Sequence, residues 1–160
     1  MHTVELLVDP ALDGLVRSVW QRLHAAGLPS LATHAHPTNR PHLTLAAADR
    51  LTPEVGAALA GLPVGATLDG LIFFERAVVW RVTLTDALRD LHARVWRALE
   101  GTERNPQHAP GSWVPHVSLA LRGGDQPRYA AELRDLPAAR GSFRQARTYD
   151  SGTRAVTPLS

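Results

Sequence analysis

The chain repeats itself. Ala11–Leu23 (ALDGLVRSVWQRL) aligns with Ala87–Leu99 (ALRDLHARVWRAL) at an offset of 87 − 11 = 76, keeping Ala, Leu, Leu, Val, Trp and Leu. PHLTLA from Pro41 aligns with PHVSLA from Pro115 at an offset of 115 − 41 = 74, and Thr52–Pro63 runs beside Gln126–Pro137 at that same offset. The blocks come in the same order twice, so one supersecondary unit is used twice and the fold has to accommodate two equivalent halves.

Each copy reads as strand, amphipathic helix, strand, shorter helix, strand. The opening strands are predicted at Val4–Val8 and at about Val78–Leu84. Asp9 followed by Pro10 makes an N-cap and first helical residue, Thr85 takes the cap in the second copy, and Gly27 and Gly101 stop the two helices. Leu12, Leu15, Val16, Val19 and Leu23 recur at helical spacing, as do Leu88, Leu91, Val95 and Leu99, so each helix offers one apolar face to a sheet. Trp20 and Trp96 fall at equivalent places in that pattern and are assigned to the core or its edge. After the shorter helices come Ala66–Phe74 and Gly141–Thr148, each followed by a turn, Glu75-Arg76 or Asp150-Ser151-Gly152, into another strand. The expectation is an α+β fold: two lobes of antiparallel sheet related by a pseudo-twofold axis, helices packed outside, and an active cleft between the lobes.

At 160 residues the chain is read as a single domain, residues 1–160, with tandem repeats at approximately 3–75 and 78–150. No apolar run approaches the ~18 residues that span a bilayer, and Met1–Pro10 does not resemble a signal peptide, which predicts a cytoplasmic protein without membrane contact. Absence of cysteine removes thiolate metal sites, disulfides and cysteine nucleophiles. All 17 basic residues are arginine, which suits phosphate recognition and equally reflects a GC-rich codon bias. A net charge of +2 fits a small anionic substrate better than a dedicated nucleic-acid-binding surface. No protein partner is evident, and a monomer is expected.

The repeated PHLTLA and PHVSLA blocks carry the chemistry. Side chains two apart on a strand point the same way, so His42 and Thr44 share one face while Leu43 and Leu45 take the other; His116 and Ser118 repeat this. Equivalent residues near a pseudo-twofold axis approach one another, which predicts that the two histidines face each other across a phosphate. Thr44 and Ser118 would donate hydrogen bonds to its non-bridging oxygens. With an unperturbed pKa of about 6.5, one imidazole can take a proton from water while the other gives one to the departing sugar oxygen, a scheme that needs neither metal nor cofactor.

These motifs resemble the two-histidine (2H) phosphoesterase superfamily, which includes bacterial 2'-5' RNA ligases and RNA 2',3'-cyclic phosphodiesterases and whose hallmark is H-x-[ST]-x, twice. The resemblance covers essentially the whole chain. It implies that His42 and His116 are catalytic and that Thr44 and Ser118 bind phosphate, in a cofactor-free reaction. It also implies a substrate with a 2',3'-cyclic phosphate end, a 2'-5' linkage, or a cyclic phosphate of a small nucleotide such as an ADP-ribose derivative. A module that binds nucleotides or RNA ends without turnover is the alternative from another class, and a metallohydrolase is the third.

Other residues are weighed against plainer roles. Arg40 would reach a terminal phosphate if its strand began early enough to share parity with His42; otherwise it is a solvated strand-end residue. Tyr149 either stacks on a base or simply packs in its strand. His34, His36 and His42 form a histidine cluster, but no carboxylate lies near it in sequence and the second copy lacks it, so no metal site is assigned. His108, in a loop before the second motif, either borders the cleft or is a plain surface histidine, and the surface reading is taken.

Overall fold

The computed structural model describes residues 1–159. The first repeat gives β1 (His2–Val8), α1 (Pro10–Ala25), β2 (His42–Ala48), α2 (Val55–Ala58) and β3 (Val64–Phe74). The second gives β4 (Ala77–Val82), α3 (Asp86–Ala98), β5 (His116–Ala120), α4 (Gln126–Glu132) and β6 (Ala139–Asp150), and β7 (Ala155–Leu159) follows. This is the predicted order of elements, with boundaries moved by a few residues. The caps are those read from the sequence: the Asp9 carboxylate accepts from Leu12 N at 2.8 Å and the Thr85 hydroxyl from Leu88 N at 3.2 Å. Gly27 and Gly101, with φ of 77° and 85°, occupy the left-handed positions that end the helices.

The strands form one seven-stranded antiparallel sheet in the order β1-β2-β5-β4-β3-β6-β7, and β6 pairs with β1 as well, so six strands close a circuit. The register carries the repeat's symmetry. β2 meets β5 at Leu43–Val117 (117 − 43 = 74), and β3 meets β6 around Ala66–Gly141 (141 − 66 = 75). Each is a pair of equivalent residues, so a pseudo-twofold axis passes through both junctions. The last strand of the second copy, β6, lies along the first strand of the first copy from His2–Asp150 to Val8–Phe143, as β3 lies along β4.

One face of the sheet is apolar. Val4, Leu6, Leu43, Leu45, Trp80, Val117 and Leu119 are buried there with the inner faces of α1 (Leu12, Val16, Val19, Leu23) and α3 (Leu88, Leu91, Val95) in one cluster. Each helix reaches across to the other copy, α1 to β5 and β6 and α3 to β2 and β3. The tryptophans that align in sequence therefore do different work. Trp20 is buried and its indole donates to Ser118 O at 3.1 Å, whereas Trp96 is partly buried at the core's edge under the Arg104 guanidinium. The corresponding strut behind Thr44 comes from Trp113, whose indole donates to Thr44 O at 3.0 Å.

Gly141 sits on the axis where α1 begins. A Cβ there would collide with the Asp9 carboxylate and meet Leu12 atoms at 3.2 Å, while Asp9 also accepts from Ser142 N at 2.7 Å. Gly141→Ala is expected to displace this cap and lower stability by about 1–2 kcal/mol; an unchanged urea midpoint would refute the argument.

Candidate functional site

Alternation along β2 and β5 puts leucine and valine into the core and leaves His42, Thr44, His116 and Ser118 half-exposed on the opposite face. The Leu43–Val117 pairing fixes their arrangement. In an antiparallel register it sets His42 opposite Ser118 and Thr44 opposite His116, four polar groups around the axis. The two histidines are close enough for the charge on His42 to act on His116.

Both rings are held the same way. His42 Nδ1 lies 2.8 Å from Arg40 O, and His116 Nδ1 lies 2.7 Å from Val114 O, in each case the carbonyl two residues earlier. A carbonyl only accepts, so each Nδ1 carries a proton and each Nε2 is left to exchange one. Burial holds His116 below the usual histidine range, against a contrary pull from Val114 O and with help from the charge of His42.

Beneath His42 lies a buried ion pair that sequence reading missed. Glu5 Oε1 accepts from Arg147 Nε at 2.8 Å, the Thr3 hydroxyl donates to Glu5 Oε2 at 2.7 Å, and that same oxygen lies 3.6 Å from His42 Nε2. Arg147 also donates to Thr38 O at 2.8 Å. Glu5 and Arg147 are 142 residues apart, which is why neither stands out in the sequence.

Arg40 precedes β2 rather than belonging to it, so the parity that aligned it with His42 does not hold. Its carbonyl orients His42, and its side chain lines a separate depression of about 500 Å³ with Arg17, Arg144, Asp9 and Asp13. Tyr149 is half-buried on β6 opposite Thr3, and its equivalent is Phe74, opposite Ala77 on β4 (149 − 74 = 75). The Phe74 ring stands edge-on to His116 with centroids 5.3 Å apart. Comparing the last residues before the two turns would have exposed this aromatic pair.

Beside His116 opens a depression of about 880 Å³, walled by Phe74, Val114 and Leu121, with Arg76, Gln107 and His108 among its polar lining. His108 is therefore at the site, not an isolated surface residue. Its Nδ1 is buried without a hydrogen-bond partner, and burial followed by the nearby His116 lowers its pKa. His36 Nδ1 is engaged with Thr38, and among the described residues no group of three or more His, Asp or Glu is placed to hold a metal ion. No helix among them is long and apolar enough to cross a membrane.

A mixed fold of one seven-stranded antiparallel sheet and four helices is the fold of the two-histidine phosphoesterases. Residues 8–150 match the model of the 2'-5' RNA ligase superfamily, and the chain belongs to that superfamily. No curated protein matches it in sequence. Among solved structures the chain is similar to the MHV ns2 PDE domain, at 15% identity and a TM-score of 0.62, covering 99% of this chain and 98% of that one. Escherichia coli LigT complexed with phosphate gives 15% and 0.56, over 99% and 93%. Kluyveromyces marxianus Usb1 with uridine monophosphate gives 16% and 0.52, over 99% and 96%. Identities this low speak for a shared fold, and the superfamily supports enzymatic processing of phosphodiesters or cyclic phosphates in general.

Proposed function

We propose that the chain is a metal-independent phosphoesterase that hydrolyses 2',3'-cyclic phosphate ends or 2'-5' phosphodiesters of RNA or nucleotides, with His42 and His116 as its catalytic pair. The observation that carries this reading is the identical mounting of the two rings. Each Nδ1–H is tied to the carbonyl two residues back, both rings stand on the same face of the sheet, and each has a hydroxyl two residues on. A phosphate between them has an acid on one side of the reacting bond and a base on the other, while Thr44 and Ser118 donate to its oxygens. Both proton transfers are covered by side chains, so the reaction needs no Lewis acid. In this reading the chain works as one cytoplasmic, monomeric domain whose repeats, about 3–75 and 78–150, form two lobes around the cleft.

The apolar wall beside His116 suits the flat face of a nucleobase, and Arg76 and Gln107 in the same lining suit its polar edge. LigT is found complexed with phosphate, NADP+ and ATP, and Usb1 with uridine monophosphate, which supports a nucleotide as the ligand. The low net charge favours a short RNA end or a small cyclic nucleotide, such as an ADP-ribose cyclic phosphate, over a long duplex. The test is incubation in EDTA with the four nucleoside 2',3'-cyclic monophosphates, an oligonucleotide with a cyclic phosphate end, a 2'-5' dinucleotide and an ADP-ribose cyclic phosphate. Turnover of any of them supports the reading. Binding without turnover assigns a nucleotide-binding module instead, and activity abolished by EDTA assigns a metallohydrolase.

A further inference from the structure

The two halves of the site differ in charge. In the register, Glu5 stands opposite Thr44 and Arg147 opposite Glu5; the equivalent positions in the other half are Val79, opposite Ser118, and Ile72, opposite Val79. A buried ion pair on one side is thus a plain apolar pair on the other. The strand neighbours of the histidines differ as well: His42 is paired with Leu7 and His116 with Arg81.

The groups facing His42 are Glu5 from β1, backed by Arg147 from β6, His116 from β5, and the Arg40 carbonyl. Both ring nitrogens therefore look toward oxygens that only accept, Arg40 O at 2.8 Å and Glu5 Oε2 at 3.6 Å. His116 faces Arg81 from β4, His42 from β2, His108 from the preceding loop and the Phe74 ring, with no carboxylate among them. From this asymmetry we infer that Glu5, clamped by Arg147 and Thr3, is a positioning residue that makes His42 the proton donor of the reaction and leaves His116 as the base.

The inference rests on the phosphoesterase reading above. His116 Nε2 takes a proton from water as the water oxygen bonds to phosphorus; the bond from phosphorus to the sugar oxygen breaks, and that oxygen takes the proton from His42 Nε2. His116 ends protonated and His42 neutral, and exchange with solvent restores both. Fixing Glu5 from two sides makes the acid cheap to reuse, because the carboxylate does not reorganise when the ring recovers its proton. The lowered proton affinity of His116, caused first by burial, agrees with a base that is unprotonated near neutral pH.

The experiment is a pH profile of kcat/KM on a nucleoside 2',3'-cyclic monophosphate for the parent protein and for Glu5→Val/Arg147→Ile, which gives the first half the apolar pair of the second. Replacing a buried ion pair by apolar residues of similar volume is commonly neutral for stability. Glu5→Gln, which keeps the shape, is the second variant. The expected result is a rate lowered about tenfold at pH 7, a loss that grows along the alkaline limb, and an acid limb left in place. Movement of the acid limb, an equal loss at every pH, or no change overturns the assignment while leaving the phosphoesterase reading intact. If the parent turns over none of the test phosphodiesters, that reading falls and this inference falls with it.

Discussion

His42→Ala and His116→Ala are each expected to lower turnover of a cyclic phosphate by about 10²–10⁴, the contribution of one general acid or base. The double variant should be little worse than either single one, because the two transfers belong to one transition state and their losses do not add. Both rings are half-exposed and neither fills the core, so thermal midpoints should stay close to that of the parent. Thr44→Val and Ser118→Ala should lose less, up to about 10², since each removes one hydroxyl donor from the phosphate oxygens. Initial rates at pH 7 with EDTA present measure all of these, and a parent-like rate in either histidine variant would sink the two-histidine mechanism.

Acid should destabilise the fold through His92. This buried residue of α3 lies flat on Trp113, with centroids 3.8 Å apart and planes within 1°, and its Nε2 donates to His108 O at 2.9 Å. Burial pulls its pKa from 6.5 to about 4, so between those values the unfolded chain binds a proton that the folded chain refuses. Stability from this group is thus fully present above about pH 6.5 and is lost as pH falls towards 4. The gap is worth roughly 3 kcal/mol. Urea midpoints at pH 7.5 and pH 4 test this: His92→Phe, which keeps a ring against Trp113, should lose less stability between the two than the parent does. Equal losses would mean that other groups carry the acid sensitivity. Because Trp113 is the strut behind Thr44, acid should loosen the Thr44 side of the site as well as the core.

The repeat makes much of this legible in the sequence. A duplicated block fixes the order of elements, the alternation in PHLTLA and PHVSLA fixes which side chains face inward, and Asp9-Pro10 and Thr85 mark where helices start, because each signal lies within a few residues. What stayed hidden depends on which strands become neighbours. The Glu5–Arg147 pair needs β6 beside β1, and periodicity says that a strand has two faces without saying what lies across from it. Internal similarity also misdirects where the halves diverge. Trp20 and Trp96 align, yet the indole that supports Thr44 belongs to Trp113. Likewise His108 has no counterpart in the first copy, so the repeat could not decide between a cleft-border and a surface position for it, and the shared depression with His116 does.

The pairing of β1 with β6 also bears on how the chain is made. His2 is matched with Asp150, 150 − 2 = 148 residues away, so a native edge of the first strand has no partner until Asp150 has been added. At the usual ~5–20 residues per second of synthesis, β1 waits about 7–30 s on the ribosome with one row of amides and carbonyls unsatisfied. Neither half can complete its own sheet during that time, and closure of so distant a contact is expected to govern the folding rate. A chain halted after the first repeat should accordingly be a client for chaperones rather than a half-sized protein.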